Sequence, residues 1–224
     1  MTLYVINPNS SQIVTDGLET ALLSFKAWSH PIKCLTLREG PPGIETQAHI
    51  DGVIAPTLDL AASKTDATGF VIACFSDPGV AELRAKTTRP VLGIREAALS
   101  DALTLGQKFG IIAIRPGSIP RHLSAIDKMG LSERLAGDRA LDLGVSELAD
   151  ETRTFERLIS TAKTLRDTDG ADVLILGCAG MAQYRARVEA ATSLPTIDPT
   201  QAAVAKALGR ISLRQSHKPE AHHA

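Results

Sequence analysis

Short runs of apolar and β-branched residues alternate along the chain with longer stretches in which apolar residues recur every three or four positions. This alternation is typical of parallel strands covered by helices, and it predicts an α/β fold. The clearest helical stretch covers residues 146–166, and the pair Asp169-Gly170 ends it. The predicted strands are Leu3–Asn7, Ile32–Leu37, Gly69–Ala73, Pro90–Gly93, Gly110–Ile114, Asp172–Gly177 and Pro195–Ile197.

Three segments of the first half recur in the second half, in the same order and at a nearly constant offset of about 105 residues. Each similarity is short, but the preserved order and spacing favour two homologous lobes. We therefore predict two pseudo-symmetric lobes, each a mostly parallel sheet flanked by helices, with the active site in the cleft between them. The paired segments are Val5–Ser10 with Ala113–Ser118, Ile72–Phe75 with Leu176–Ala179, and Pro90–Ile94 with Pro195–Ile197.

The repeat also predicts where the chain passes between the lobes, near Glu96 and again near Asp198. Lobe one is predicted to comprise residues 1–96 and 198–213, and lobe two residues 97–197. Residues 214–224 are polar, contain histidines and lack periodicity, so we expect a disordered tail there.

Composition excludes several classes of function. The 224 residues carry 24 basic and 25 acidic side chains, a formal net charge of −1, without a long basic run. We therefore expect no nucleic-acid or membrane partner. No apolar stretch approaches the roughly 20 residues that span a bilayer, and the first residues do not resemble a signal peptide. Three cysteines without CxxC spacing indicate neither a disulfide scaffold nor a zinc ribbon, so the reducing cytoplasm is the expected location.

Cys74 and Cys178 occupy equivalent places in the two repeats, each at the carboxyl end of an apolar strand and just before a helix. Ligands bind at that edge of open α/β sheets, and free helix N–H groups favour a thiolate. We therefore expect the pKa of each thiol to move toward neutrality. A single cysteine in this setting is more often a small buried hydrophobe, but the symmetric pair favours function. Cys34 has no counterpart in the second half and is expected to pack in the core.

Two acid/base groups that face each other across a cleft suit a reaction with mirror-image requirements. One group removes a proton from a carbon, and the other returns a proton on the opposite face. The cysteine pair therefore predicts a racemase or epimerase in which a thiolate is the base and a thiol is the acid.

Polar residues and backbone N–H groups follow the same predicted strand ends. They could bind a carbonyl, carboxylate or ureido group, although Asn and Ser are also good helix N-caps, so a purely structural role stays open. Glu45, Asp77 and Asp198 are expected to have surface or capping roles, and the histidine spacing predicts no metal site. The residues expected on position alone to line a pocket are Asn9, Ser10, Ser118, Phe75, Ser76, Ala179 and Gly180.

Four motifs together resemble the hydantoin/allantoin racemase family, part of the aspartate/glutamate racemase superfamily. The resemblance covers residues 3 to about 209. Two places depart from the family's pattern and bear on substrate identity: Ser76, where members often have Gly, and residues 115–119, where a threonine-rich turn is usual. The motifs are Ile6–Ser11, Gly40–Glu45, Ile72–Gly79 and Leu176–Ala182.

The resemblance implies two α/β lobes, a two-base mechanism without a cofactor, and commonly a homo-oligomer. By motif, Cys74 and Cys178 would be the acid/base pair. The same resemblance places Asn9, Ser10, Ile44, Phe75, Ser76 and Gly180 in or near the ligand pocket.

The leading hypothesis is a racemase that acts on a small molecule, at a carbon next to a carbonyl in a hydantoin, allantoin or related ureido compound. Two alternatives stay open. One is a maleate isomerase or arylmalonate decarboxylase-like enzyme of the same superfamily. The other is a two-lobed ligand-binding module without turnover.

Overall fold

Two parallel four-stranded sheets form the framework of the computed structural model, which describes residues 1–28 and 30–216. The strands are short and mostly buried, as expected for a sheet covered on both faces by helices. In chain order they are β1 Thr2–Asn7, β2 Ile32–Thr36, β3 Ala67–Ile72, β4 Val91–Gly93, β5 Phe109–Ala113, β6 Leu135–Ala140, β7 Val173–Leu176 and β8 Thr196–Ile197.

Helices connect successive strands, and short 3-10 helices occur in several of the connections. The α-helices of the described residues are α1 Gln12–Ala21, α2 Gln47–Gly52, α3 Ile54–Ala62, α4 Val80–Lys86, α5 Ile94–Leu105, α6 Ile119–Lys128, α7 Glu151–Asp167, α8 Arg185–Thr192 and α9 Pro199–Ser216. The 3-10 helices are Leu22–Ala27, Pro116–Ser118, Ser132–Arg134, Ser146–Ala149 and Ala179–Tyr184.

The two sheets have the same strand order. The first sheet is ordered β2-β1-β3-β4 and the second β6-β5-β7-β8, and every neighbouring pair is parallel. Each half of the chain therefore builds one α/β lobe, and the two lobes are pseudo-symmetric. The predicted fold class is confirmed.

Two helices pass between the lobes. Helix α5 leaves the first sheet after β4 and packs against β7 of the second sheet. Helix α9 leaves the second sheet after β8 and packs against β3 and β4 of the first, and α5 and α9 pack against each other. The exact lobe boundaries stay a prediction. The tail was predicted from Arg214, but α9 continues to Ser216, and residues 217–224 lie outside the described part of the chain.

The seven predicted strands are all present, with their ends within two residues of the prediction. The eighth strand, β6, was missed because Asp138 and Arg139 interrupt its apolar pattern. It lies at the edge of the second sheet and is mostly half-buried, so few of its positions need apolar side chains.

The long helix predicted over residues 146–166 is divided in the structure. A 3-10 helix ends at Ala149, and α7 begins at Glu151. Asp150 separates them because its side chain accepts a hydrogen bond from the Arg153 N–H at 3.1 Å, which caps the amino end of α7. The apolar face of α7 is buried as the periodicity predicts.

Candidate active site

One cavity lies between the lobes, at the carboxyl ends of the central strands of both sheets. It encloses about 550 Å³ of space between atoms, including its open mouth. Nine of the ten residues that the sequence analysis placed at the site line this cavity: Asn9, Ile44, Cys74, Phe75, Ser76, Ser118, Cys178, Ala179 and Gly180.

Ser10 is the exception among the predicted pocket residues. It does not line the cavity, and its backbone N–H donates a hydrogen bond to the Pro41 carbonyl at 2.9 Å. Ser10 therefore ties the loop after β1 to the loop after β2 and has a structural position here rather than a place on the cavity wall.

Cys74 lies in the turn after β3, at the wall contributed by lobe one. Its surroundings raise the pKa of the thiol to about 11, because burial penalises the thiolate and the nearby Asp77 carboxylate repels it. The Ser76 backbone N–H, the Arg95 guanidinium and the Ser76 hydroxyl act in the opposite direction, but they do not outweigh burial.

Cys178 lies at the equivalent place after β7, at the wall contributed by lobe two. Burial raises the pKa of its thiol to about 12, and the charges of Cys74 and Glu45 raise it further in the same direction. The opposing contribution is a hydrogen bond from the Gly180 N–H. A Cβ atom at Gly180 would lie 3.7 Å from the Cys178 sulfur, which shows how closely this backbone approaches the thiol.

The expectation that both pKa values move toward neutrality is wrong for these surroundings. Backbone N–H groups do favour the thiolates, from Ser76 in the turn after Cys74 and from Gly180 in the 3-10 helix after Cys178, but removal of the thiols from water dominates. Both groups therefore hold their protons at neutral pH in the unliganded protein.

Cys34 belongs to the core, as predicted. It lies on β2, is half-buried and packs against the hydrophobic cluster of the central helices and strands. It is not among the residues that line the cavity. Burial raises the pKa of its thiol to about 12, with a further contribution from Glu19.

Asn9 has both a structural and a cavity-facing role. Its Oδ1 accepts hydrogen bonds from Asn7 Nδ2 at 3.0 Å and from the Ser11 N–H at 2.9 Å. Ser11 in turn caps α1. The Asn9 Nδ2 group has no hydrogen-bond partner within residues 1–28 and 30–216, and the residue lines the cavity. It is thus a donor available to a ligand.

A bridge of polar contacts joins the two lobes at the edge of the cavity. Glu45 of lobe one pairs with Arg115 of lobe two, with Oε2 and Nε 3.1 Å apart, and its Oε1 accepts from the Val145 N–H at 3.1 Å. Arg121 Nη2 donates to the Glu45 carbonyl at 3.0 Å. The loops approach closely here, because a Cβ atom at Gly43 would lie 2.8 Å from the Val145 Cβ.

Glu45, Arg115 and Arg121 also line the cavity but were not among the named pocket residues, although Arg115 belongs to the segment 115–119 that was expected at the pocket wall. Glu45 was assigned a surface or capping role, whereas it bridges the lobes. A signal for Arg115 was present in the repeat, since it follows β5 within the segment that matches the loop after β1. Contacts between distant loops leave no comparable pattern for Glu45 and Arg121.

His122 also lines the cavity and was missed. It lies on α6, and its Nδ1 is 2.8 Å from Oδ2 of Asp138 on β6. Its ring packs edge-on against Phe75, with ring centroids 5.1 Å apart. The histidine stood alone in the sequence, and its partner lies on the one strand that was not predicted.

Asp77 and Asp198 have the capping role that was expected for them. The Asp77 carboxylate accepts from the Arg95 N–H at 3.0 Å and the Glu96 N–H at 3.1 Å, at the start of α5. Asp198 Oδ1 accepts from the Thr200 N–H at 2.7 Å, at the start of α9. Burial raises the pKa of each carboxyl to about 6.

Within residues 1–28 and 30–216, no three His, Cys, Asp or Glu side chains are grouped so that they could hold a metal ion. In the same ranges, no helix combines the length and the apolar character that crossing a membrane requires.

Comparisons with known proteins agree with this architecture. The Asp/Glu/Hydantoin racemase family matches residues 3–207. A hydantoin racemase of Rhizobium meliloti is 35% identical over 210 residues, which cover 91% of this chain and 86% of that protein. The structure of an allantoin racemase from Pseudomonas fluorescens superposes with a TM-score of 0.90 at 25% identity, covering 96% of this chain and 92% of that one. The structure of an allantoin racemase from Klebsiella pneumoniae superposes with a TM-score of 0.87 at 28% identity, covering 96% of this chain and 89% of that one.

Two α/β lobes that meet at a cavity, together with these relatives, define the class of protein: an isomerase of the racemase type. The chain belongs to the Asp/Glu/Hydantoin racemase family.

Proposed function

We propose that this protein is a cofactor-independent racemase that uses Cys74 and Cys178 as its acid/base pair. Its substrate would be a hydantoin, allantoin or related ureido compound with a stereocentre next to a carbonyl. The observation that carries the proposal is the position of the two thiols, which come from equivalent turns of opposite lobes and line the same cavity. The names of the relatives, hydantoin racemase and allantoin racemase, support this substrate class.

The reaction needs one thiolate and one thiol. The thiolate takes the proton from the stereocentre, and the electron pair of the C–H bond moves toward the adjacent carbonyl to form an enolate. The opposite thiol then gives its proton to the other face of the carbon, so the electron pair returns to form the new C–H bond. The two cysteines end with their protonation states exchanged, and no electron acceptor is required.

The raised pKa values have two effects on this reaction. A thiolate with a pKa near 11 or 12 is a stronger base than an ordinary cysteine, which suits abstraction from a weakly acidic carbon. The same values keep the active, singly deprotonated form scarce at neutral pH. The rate should therefore depend strongly on pH.

The charge of Arg115 at the cavity wall is already compensated within the protein. Arg115 is paired with Glu45 and with Glu147, so its charge is balanced by two carboxylates. The Asn9 amide supplies a neutral donor at the wall. A ring that contains carbonyl and N–H groups would find hydrogen-bond partners here without bringing a charge into the cleft.

Incubation of single enantiomers of several hydantoins and of allantoin in D₂O tests the proposal. Optical rotation should decay to zero while deuterium enters at the stereocentre, as measured by NMR. Retention of both rotation and protium across the panel would overturn it. Conversion of maleate to fumarate, decarboxylation of an arylmalonate, or ligand binding without turnover would identify one of the other candidate functions instead.

Two further expectations belong to the same proposal. We expect a homo-oligomer. Light scattering after size-exclusion chromatography would measure its mass, and a mass equal to that of one subunit would contradict this expectation. We also expect the protein in the cytoplasm, where thiols stay reduced. Fractionation of cells that produce the protein would test this location.

A further inference from the structure

His122 is a polar group of the cavity that the two-thiol reaction does not use. Its side chain is only 3% exposed, and it reaches the cavity from α6. Nδ1 is engaged by Asp138 at 2.8 Å. Nε2 has no hydrogen-bond partner in the part of the chain that the structure describes. Since Nδ1 is engaged and the residue lines the cavity, Nε2 is the ring nitrogen that remains for a ligand.

The orientation of the imidazole is fixed from two sides. Asp138 is 1% exposed, and its Oδ1 has no hydrogen-bond partner among the described residues, so His122 is the side chain that satisfies this carboxyl group. The Phe75 ring meets the imidazole at an interplanar angle of 78°. Phe75 directly follows Cys74, so the histidine is packed beside the turn that carries the first thiol.

The partner at Nδ1 determines what Nε2 can do. An ionised carboxylate only accepts hydrogen bonds, so Nδ1 carries the hydrogen that points to Asp138. In the neutral imidazole this leaves a lone pair on Nε2. In this neutral tautomer Nε2 is an acceptor at the cavity wall and is complementary to an N–H group of the ligand.

We propose that Nε2 of His122 accepts a hydrogen bond from a ring or ureido N–H of the substrate, with Asp138 as the positioning residue behind it. This inference rests on the proposed function, because it is the hydantoin or ureido class that supplies such an N–H. It adds to that function a residue that selects substrates with a free N–H at one particular nitrogen.

Methylation of the substrate tests this contact directly. One 5-substituted hydantoin is compared with its two derivatives methylated at one or the other ring nitrogen. In the wild-type protein, methylation at the contacted nitrogen should lower kcat/KM by about 10- to 100-fold, as expected for loss of one buried hydrogen bond. Methylation at the other nitrogen should have a smaller effect.

Two variants should remove this discrimination. His122→Asn can still donate to Asp138 but is too short to reach the ligand, and His122→Phe combined with Asp138→Ala leaves no buried carboxylate unpaired. Both should lower kcat/KM for the unmethylated hydantoin about 10- to 100-fold, and should process the methylated and unmethylated substrates within about threefold of each other. A merely structural role of His122 would lower all rates and leave the ratio unchanged.

His30→Asn is the matched control, because this histidine bonds the Thr68 hydroxyl and does not line the cavity. It should keep the wild-type ratio. Normal racemisation with the wild-type ratio in both His122 variants would overturn the inference alone. A wild-type protein that racemises no hydantoin would overturn the proposed function, and this inference with it.

A measurement on the wild-type protein keeps the inference falsifiable if the variants do not fold. In ¹⁵N NMR spectra, the Nε2 signal of His122 should move on addition of the unmethylated hydantoin and stay unchanged with the derivative methylated at the contacted nitrogen. An Nε2 signal that is unaffected by saturating unmethylated hydantoin would overturn the contact.

Discussion

The turns that carry the two cysteines occupy the same place in the two lobes, yet their surroundings differ. Near Cys74, a backbone N–H, the Arg95 guanidinium and the Ser76 hydroxyl favour the thiolate, while the Asp77 carboxylate disfavours it. Near Cys178, the Gly180 N–H is the favourable contact, while Glu45 disfavours the thiolate. The fold thus supplies symmetric positions, and the side chains around them make the two thiols unequal.

For the proposed two-thiol reaction, this inequality indicates where the single negative charge would reside. Since Cys74 has more groups that stabilise its thiolate, lobe one should hold the base more often in the free protein, and lobe two the acid. In the proposed reaction the two roles still exchange during each turnover, so the proposal requires both thiols. If the two positions are equivalent in the reaction, loss of either thiol should have the same consequence, and if their surroundings differ, the two thiols should differ in reactivity.

The largest effect is expected from removal of either thiol. Cys74→Ser and Cys178→Ser should each lower the rate of racemisation by at least about a thousandfold, because a hydroxyl is a far weaker acid and cannot supply the base. Polarimetry on a single enantiomer measures this loss. Cys34→Ser, which changes a thiol outside the cavity, should keep nearly the wild-type rate. Equal, near-normal activity in the two site variants would contradict the assignment.

The pH dependence should come next in size. Both thiols have a raised pKa, so the thiolate fraction increases as the pH rises toward about 11. Between pH 6.5 and 8.5, kcat/KM should rise about tenfold per pH unit. The rate is measured with a substrate that does not ionise in this range, after subtraction of the uncatalysed rate. A plateau below pH 8 would mean that one thiol is already ionised in the free protein.

A smaller effect is expected at Ser76, which occupies the place that Gly180 has in lobe two. Ser76→Gly removes the hydroxyl that favours the Cys74 thiolate and puts glycine at the equivalent position of both turns. In the wild-type protein at pH 8, iodoacetamide should modify Cys74 a few-fold faster than Cys178, and the variant should narrow this difference. Mass spectrometry of the modified peptides measures both rates. An unchanged ratio would show that the hydroxyl does not influence the thiol.

The smallest effect is expected at the bridge between the lobes. Glu45→Gln removes the charge that disfavours the Cys178 thiolate, but it keeps an acceptor for the Val145 N–H. Alkylation of Cys178 should become about twofold faster. The free energy of unfolding should fall by less than about 1 kcal/mol, since the pair with Arg115 is partly exposed. Urea unfolding measures this change, and a loss of several kcal/mol would show that the bridge is essential to the fold.

The equivalent placement of the two thiols was predictable from the sequence. Cys74 and Cys178 could be paired because the repeat preserves the order and spacing of strand, cysteine and turn, and those local patterns determine where a strand ends. Nine of the ten proposed site residues line the cavity for the same reason. They follow strands whose carboxyl ends meet.

The differences between the surroundings of the two thiols were not predictable from the sequence. The inter-lobe contacts of Glu45 depend on loops that are about 70 to 100 residues apart in sequence, and no local pattern reports them. The partner of His122 lies on β6, which was not predicted because Asp138 and Arg139 interrupt the apolar pattern of the strand. The direction of the thiol pKa shifts depends on the balance between burial and backbone N–H groups. The sequence indicated the N–H groups but not the extent of burial.

Exchange of the substrate hydrogen with D₂O, followed separately for each enantiomer in Cys74→Ser and Cys178→Ser, tests the central claim most directly. Each variant keeps one thiol on one wall of the cavity. We therefore predict that each variant incorporates deuterium into one enantiomer with retained configuration, and that the two variants act on opposite enantiomers. Deuterium incorporation into the same enantiomer by both variants would contradict the account of two thiols on opposite faces of one substrate.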